Sequence, residues 1–250
     1  MSPGADSAGV PFEGREFRPH PFAGDDGRTP EQLAIALDRW AREHSSAAVS
    51  QVVEALRADR ILVPLIAEAG DVGHTSEGRV VEKTQELSIV SVQGPDGQPV
   101  GLIFSDVDAL QAWRDDARPQ PAEAARAAAW ALEESMTRLV INPTSASECL
   151  LRRGALVALM TGESYIPPWE DPEVESAIEQ GLGETGTLLS IRSGWDQGPA
   201  GPDLIVEVGL PPGLNTEQLR QIQQSWATQW SASDIIARRV DGMQLALVAL

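Results

Sequence analysis

The sequence predicts an α+β fold that is divided into two small domains. Its 250 residues, of which 42% are hydrophobic, are enough to form two modest cores. Apolar residues recur at helical spacing in several segments, and short β-rich runs bounded by turn residues occur in both halves of the chain. We therefore expect a mixed sheet packed by helices in the N-terminal half and a ββαββ-like unit in the C-terminal half.

The first elements are an arm and two helices. Residues 1–28 are rich in Gly, Pro, Asp and Ser, which is typical of a flexible N-terminal arm. Thr29 is a suitable N-cap for a helix that begins at Pro30, and Gln32 would complete a capping box. A second helix is predicted from Ser46 to about Ala58.

The remaining elements of the first domain, residues 29–162, alternate between strands and helices. Pro64 indicates that the run Ile61–Glu68 is an edge strand or contains a bulge. Two further runs flank a turn-rich linker and predict a β-hairpin: Leu87–Val92 and Pro99–Phe104. The other predicted elements are a helix Asp106–Trp113, an alanine-rich helix from Pro121 to about Ser135, a strand Arg138–Ile141 ending at Asn142-Pro143, and a helix from about Ser147 to Met160.

The second domain, residues 163–250, begins near Pro167-Pro168, where the composition becomes strongly acidic. Two strands are predicted at Thr187–Arg192 and Leu204–Leu210, separated by a loop rich in Gly and Pro. Asn215 and Gln218 form a capping box for the next helix, which carries an apolar face of Leu219, Ile222, Trp226 and Trp230. The dipeptide Asp241-Gly242 then predicts a hairpin between the strands Ile235–Val240 and Met243–Val248.

The formal net charge of −18 excludes the partners that are themselves strongly anionic. Nucleic-acid binding depends on neutralising phosphates, and no basic patch is available in this chain, so neither nucleic acid nor an anionic membrane is expected as a partner. Between Arg153 and Arg192 lie seven acidic residues and no basic one. This segment would attract a basic protein surface, although an acidic surplus also simply keeps a protein in solution.

The single cysteine, Cys149, indicates a reducing compartment, and we expect a cytoplasmic location. The first residues do not resemble a secretory leader, and no apolar run is long enough to cross a membrane. Cys149 falls on the helix predicted from Ser147, where it is interpreted as a buried small hydrophobe and not as a nucleophile.

Four short segments carry a family resemblance. They are Ile61-Leu-Val-Pro-Leu, Pro99-Val-Gly-Leu-Ile-Phe-Ser, Asp106-Val-Asp-Ala-Leu-Gln-Ala-Trp113 and Leu139-Val-Ile-Asn-Pro143. Together they resemble the N-terminal domain of the SseB family, the enhanced serine sensitivity proteins, and residues 163–250 are similar, more weakly, to that family's C-terminal domain. The resemblance implies a two-domain α+β cytoplasmic protein, and it supplies no catalytic residues.

No common catalytic or nucleotide-binding motif occurs in the sequence, and we predict no catalytic, cofactor-binding or metal-ligating residue. The nearest polar cluster is Asp71, His74 and Glu77, which could bind a metal ion or hold a general base, but a solvated loop is the preferred interpretation. Asn142 could offer its amide to a ligand, although an Asn before Pro is first a turn residue.

Large aromatic residues near the acidic segment suggest a recognition surface, since such residues anchor protein interfaces. The alternative is that the aromatics fold back over the domain junction. The predicted surface consists of Tyr165, Trp169, Glu170, Asp171, Glu173, Glu175 and Trp195.

Three hypotheses for the function follow. The first is a non-enzymatic interaction or regulatory module that binds a basic or apolar protein surface. The second is a small-molecule or amino-acid binding protein, which only the family's serine phenotype suggests. The third is an enzyme that uses the Asp71/His74/Glu77 loop. Unpaired edge strands could also pair across a homodimer.

Overall fold

The computed structural model describes residue 22 and residues 24–66 and 90–250, and these residues have the predicted α+β architecture. The helices of this described part are α1 (Glu31–Glu43), α2 (Ser46–Ala58), α3 (Val107–Trp113), α4 (Ala124–Glu133), α5 (Arg153–Thr161), α6 (Pro172–Leu182), α7 (Thr216–Ser231) and α8 (Asp234–Arg239). Its strands are β1 (Arg60–Leu65), β2 (Ser91–Gln93), β3 (Pro99–Ile103), β4 (Arg118–Glu123), β5 (Arg138–Ile141), β6 (Cys149–Arg152), β7 (Thr187–Ser193), β8 (Leu204–Leu210) and β9 (Met243–Ala249).

The described strands form three sheets. The largest has the order β2-β3-β5-β6, in which β3 and β5 are parallel and the other two pairs are antiparallel. β1 and β4 form an antiparallel pair, which is tied to the end of β3 by a bridge between Leu62 and Phe104. The third sheet has the order β7-β8-β9, with β8 antiparallel to β7 and parallel to β9.

Each half has its own hydrophobic cluster. In the first half, α1, α2, α4 and α5 bury their apolar faces against one side of the large sheet, while α3 contributes to a smaller cluster that includes Leu102 and Phe104. In the second half, α6, α7 and α8 pack on β8, and the rings of Trp226 and Trp230 occupy the centre of that core. The division into two independently folding domains stays a prediction.

Several predicted elements are confirmed. α2 begins at Ser46 as predicted, where the Ser45 hydroxyl accepts a hydrogen bond from the Ala48 amide. β2 and β3 form the predicted hairpin within the described residues, and α3 follows the N-cap Asp106. The capping box at the start of α7 is also present, with Asn215 and Gln218 bonded to each other's backbone amides.

The predicted cap of the first helix is wrong. Pro30, and not Thr29, occupies the N-cap of α1, and no side chain bonds the free amides there. The Thr29 hydroxyl is bonded instead to Ser105 and to the Asp106 carboxylate. These contacts hold the start of α1 against the β3–α3 turn.

The helix predicted from Ser147 to Met160 is in part a strand. Residues 149–152 form β6, which pairs with β5, and α5 begins only at Arg153. Cys149 and Leu151 point into the core, so burial against β5 overrides the local helical preference. Cys149 therefore lies on a strand, although its predicted burial is confirmed.

The helix predicted from Pro121 also begins later. Pro119 and Pro121 lie in β4, and α4 starts at Ala124. A proline has no amide hydrogen to donate, so it suits a strand that pairs on one side only. β4 pairs with β1 in this way, and Pro64 of β1 faces Pro119 across the pair. β1 itself is not a simple edge strand, because Leu62 also bonds to Phe104 on its other side.

The predicted hairpin at Asp241-Gly242 is wrong, and so is the ββαββ order. Ser233 caps a helix, α8, over the residues expected to form the first strand of that hairpin, with Ile236 buried and Arg238 and Arg239 in its last turn. The connection from β8 through α7 and α8 is a crossover, which makes β9 parallel to β8. The order from β7 onward is ββααβ.

Helix α6 was not predicted, although its signals are present in the sequence. Asp171 caps it, Pro172 stands in its first turn, and Val174, Ile178 and Leu182 are buried at helical spacing. We interpreted this segment by its acidic charge and not by the spacing of its apolar residues.

The last residues of the predicted arm contact the body of the first half. Residues 24–28 belong to the described part, and the Asp25 carboxylate forms an ion pair with the buried Arg60 guanidinium. In the described residues, no helix combines the length and the apolar character needed to cross a bilayer.

Candidate functional site

A cavity of about 240 Å³ lies where the two halves of the chain meet. We call it the linker pocket, because the segment that joins the halves forms one of its walls. Helix α5 forms the second wall and the end of α8 the third. Its lining residues are Gly154, Val157, Ala158, Glu163, Ser164, Tyr165, Ile166, Asp171, Arg238 and Arg239.

The floor of the linker pocket depends on a close approach of α5 to α8. A methyl group at Gly154 would lie 2.6 Å from the Arg239 carbonyl oxygen, which is closer than van der Waals contact allows. Only glycine therefore lets these two helices meet without displacement.

Ion pairs hold the walls of the linker pocket together. The Arg239 Nη1 atom lies 2.7 Å from Asp171 Oδ2 and 2.5 Å from Glu173 Oε2, and this clamps α8 to the start of α6. The Asp171 carboxylate also accepts a hydrogen bond from the Glu173 amide, as an N-cap does. Arg238 and Glu163 make a looser, exposed contact of 3.9 Å.

Tryptophan rings connect the linker to the first half. The ring centroids of Trp169 and Trp195 are 4.6 Å apart, those of Trp195 and Trp40 are 4.9 Å apart, and both pairs meet edge to face. Trp169 also donates a hydrogen bond of 2.9 Å to the Ser46 hydroxyl. The aromatic residues thus fold over the junction, which is the alternative that the sequence left open.

The predicted recognition surface is therefore divided. Asp171 is buried as a helix cap, and Tyr165 is half-buried against the first core, where burial and the nearby Asp203 carboxylate raise the pKa of its hydroxyl. The members that remain exposed are Glu170, Glu173 and Glu175.

A network of charges, which we call the junction network, joins the two halves, and all of its side chains except that of Asp96 are largely buried. Its members are Asp96, Arg138, Arg152, Asp203 and Asp241. Arg138 and Arg152 face each other across β5 and β6, where two like charges would repel. Asp241, from the second half, bridges them, with one carboxylate oxygen 2.7 Å from Arg138 Nε and 3.3 Å from Arg152 Nη1.

Asp203 is the second carboxylate that the C-terminal half brings to Arg152. Its Oδ2 atom accepts a hydrogen bond from the Asp241 amide, and its Oδ1 atom is 3.8 Å from Arg152 Nε. Burial raises the pKa of Asp203 to about 7, against the opposing effects of the Asp241 amide and Arg152. The network was not predicted, because its members are far apart in sequence and each alone looks like an ordinary surface charge.

Asn142 has a structural role. Its side-chain oxygen accepts a hydrogen bond from the Ser105 amide, and its Nδ2 atom donates to the hydroxyls of Ser105 and Ser147. The backbone at Asn142 has a φ of 49°, in the left-handed region that Asn tolerates. Its amide is fully used within the fold.

The remaining candidates offer no chemistry within the described residues. Cys149 is completely buried, and burial raises the pKa of its thiol far above the ordinary value. Asp71, His74 and Glu77 lie outside the described residues. In the part of the chain that is described, no three His, Cys, Asp or Glu side chains are grouped as a metal site requires.

Comparison with known proteins assigns the first half of the chain. No curated protein and no solved structure matches this sequence. The similarity of residues 163–250 to the C-terminal domain of the same family stays a prediction. A family model described as the SseB protein N-terminal domain matches residues 33–158, which is half of the chain, and the chain therefore belongs to the SseB family.

Proposed function

We propose that this chain is a non-enzymatic interaction module that binds a basic segment of a partner protein at the linker pocket. The observation that carries the proposal is the charge around this cavity. Two carboxylates line the pocket, two more lie in the first turn of α6 and a fifth precedes the cap of that helix, while two guanidinium groups oppose them, which leaves a net charge of −3 in this region. The five carboxylates are those of Glu163, Glu170, Asp171, Glu173 and Glu175.

The two arginines of the pocket are already engaged. Arg239 pairs with Asp171 and Glu173, and Arg238 lies beside Glu163. Glu170 and Glu175 are exposed and have no such cation in the described contacts. An incoming lysine or arginine would therefore meet uncompensated negative charge.

Apolar side chains beside this charge would anchor the partner segment. Val157 and Ala158 line the wall that α5 contributes, and Ile166 is 48% exposed at the edge of the cavity. A pocket with an apolar wall and an acidic rim suits a segment in which a hydrophobic residue neighbours basic ones. The chain-wide charge of −18 would steer such a partner toward it.

Charge reversal at two exposed carboxylates next to the pocket tests the proposal. The variant Glu170→Lys/Glu175→Lys leaves Asp171 and Glu173 in place, because both hold Arg239. Capture of partners from an extract should become about tenfold weaker, which corresponds to about 1.4 kcal/mol. The matched control is Glu133→Lys/Glu134→Lys, which alters two exposed residues near the end of α4 by the same total charge. Equal losses in both variants, or no loss in the first, would count against the linker pocket.

A second candidate function is the binding of a small zwitterion. The cavity of about 240 Å³ has space for a free amino acid, and Arg238 and Glu163 place opposite charges 3.9 Å apart at its wall. Thermal-shift screening with amino acids separates the two proposals. Stabilisation by one amino acid that Arg238→Ala abolishes would favour the small ligand, and no response would leave the protein partner as the better explanation.

We also propose a reducing compartment, such as the cytoplasm, as the place where the module works. The sequence has one cysteine, so no disulfide can form within the chain, as is usual for proteins of reducing compartments.

A further inference from the structure

Strand β9 lies at the edge of the C-terminal sheet. It pairs with β8 through seven consecutive residue pairs, from Leu204–Met243 to Leu210–Ala249, with no bulge in the register. In the described part of the chain, no strand pairs with its other edge. Every second residue there presents an amide hydrogen and a carbonyl oxygen in the plane of the sheet.

The opposite edge of the same sheet is protected against pairing. In β7, the register shifts between Leu188 and Ser190, so that Leu189 forms an irregularity in the strand. A bulge twists an edge strand and interrupts its hydrogen-bonding pattern, and Arg192 adds a charge near the other end of the strand. β9 has neither device.

The composition of β9 is the second observation. Residues 243–250 read Met-Gln-Leu-Ala-Leu-Val-Ala-Leu, with no charged residue and no proline, in a chain that carries 56 charged residues. Three of these apolar side chains are substantially exposed: Leu247 at 37%, Val248 at 39% and Leu250 at 62%. A long, regular, uncharged and apolar edge is the kind that pairs with another strand.

We infer that β9 pairs with β9 of a second copy of this chain, antiparallel and across a twofold axis. A second copy fits this edge, because its own β9 is an equally long and uncharged strand. Two chains of net charge −18 repel each other least where both present uncharged residues. With the axis at Ala246, Gln244 of each copy faces Val248 of the other, and Leu245 faces Leu247. The two three-stranded sheets become one sheet of six strands, with the helices of both copies on the same side.

The dimer should be weak. A pairing of two seven-residue strands buries less than the roughly 1,600 Å² of a standard stable interface. We therefore expect monomers at low concentration and dimers at high concentration. This inference does not depend on the linker pocket, which lies elsewhere on the chain.

Sedimentation velocity over a concentration series tests the dimer. The wild-type chain should shift toward the dimer as its concentration rises. The variant Gln244→Lys/Val248→Lys would place lysines directly opposite each other in both cross-strand pairs, and it should remain monomeric. The matched control Thr187→Lys/Leu189→Lys adds the same charge at the protected edge and should dimerise as the wild type does. A wild-type chain that stays monomeric at every concentration overturns the inference, and so does a β9 variant that still dimerises.

A disulfide crosslink tests the same pairing without the lysine variant, which could fail to fold. Ala246→Cys places two thiols at the axis, within the Cα separation that a disulfide needs, while Cys149 is buried and cannot compete. Oxidation should give a reducible dimer with Ala246→Cys and none with Leu189→Cys. Equal crosslinking of the two variants, or none in either, contradicts the pairing of β9 with itself.

Discussion

Asp203 shows how a single side chain joins the two halves at an energetic cost. It is 2% exposed and lies beside Arg152 and Asp241, and burial raises its pKa to about 7, because a buried site disfavours the charged carboxylate. In the unfolded chain the pKa returns to its ordinary value of 3.8. Between these values the folded chain holds a proton that the unfolded chain has lost, so the contribution of Asp203 to stability declines as the pH rises from about 4 to about 7.

Replacement of Asp203 by asparagine should remove this cost. The asparagine oxygen can still accept the hydrogen bond from the Asp241 amide, and the amide group cannot ionise. We expect Asp203→Asn to raise the free energy of unfolding on the order of 2 kcal/mol at pH 8, with the gain shrinking toward pH 5. Denaturant unfolding from about pH 5 to about pH 8.5 measures the difference.

The comparison variant for this prediction is Asp241→Asn. Asp241 bridges Arg138 and Arg152, so its loss leaves two buried guanidinium groups without their shared carboxylate. That variant should lose about 3 kcal/mol. A destabilised Asp203→Asn whose dependence on pH matches that of the wild type would refute the role given to Asp203.

At the scale of elements, local signals in the sequence correctly predicted two capped helices and one hairpin. Ser45 and Asn215 cap helices α2 and α7, and the side chains that each helix buries recur at helical spacing. The hairpin of β2 and β3 turns at Gly94–Gln98, where Gly97 has a φ of 78°. Residues that are close together in sequence are enough to specify these elements.

Two of the mistaken elements, β6 and α8, are decided by partners that are distant in sequence. The sequence of β6 favours a helix, but pairing with β5 and burial of Leu151 in the core make it a strand. The sequence around Ile235 and Ile236 suggests a strand, but α8 forms there and packs between α5 and α6. The Asp241-Gly242 pair is therefore not a hairpin turn but the connection from α8 to the parallel strand β9. Tertiary burial overrode local propensity in both cases.

The candidate site could be predicted in part. The acidic run and the tryptophans indicated the segment 163–195, and two of the seven predicted residues, Tyr165 and Asp171, line the linker pocket. The arginines of α8 and the glycine of α5 could not be found from the sequence, because only the folded chain brings them to the same cavity. The junction network could not be predicted either, because its members are likewise brought together only in the folded chain.

For the molecule as a whole, three kinds of contact unite the two halves. The junction network supplies buried ion pairs, the rings of Trp40, Trp195 and Trp169 supply aromatic packing, and Gly154 allows α5 to meet α8. The linker pocket is lined by residues from both halves, so a partner that enters it would contact the two together. Its shape therefore depends on the docking of the halves.

Hydrogen–deuterium exchange of the captured complex tests the proposed function most directly. If the partner binds at the linker pocket, its binding should slow exchange in residues 163–175 and 234–239, because the amides of these segments become covered. We also expect this protection to disappear in the variant Glu170→Lys/Glu175→Lys and to persist in the control variant Glu133→Lys/Glu134→Lys. Protection confined to other segments, with residues 163–175 and 234–239 unchanged, would contradict it.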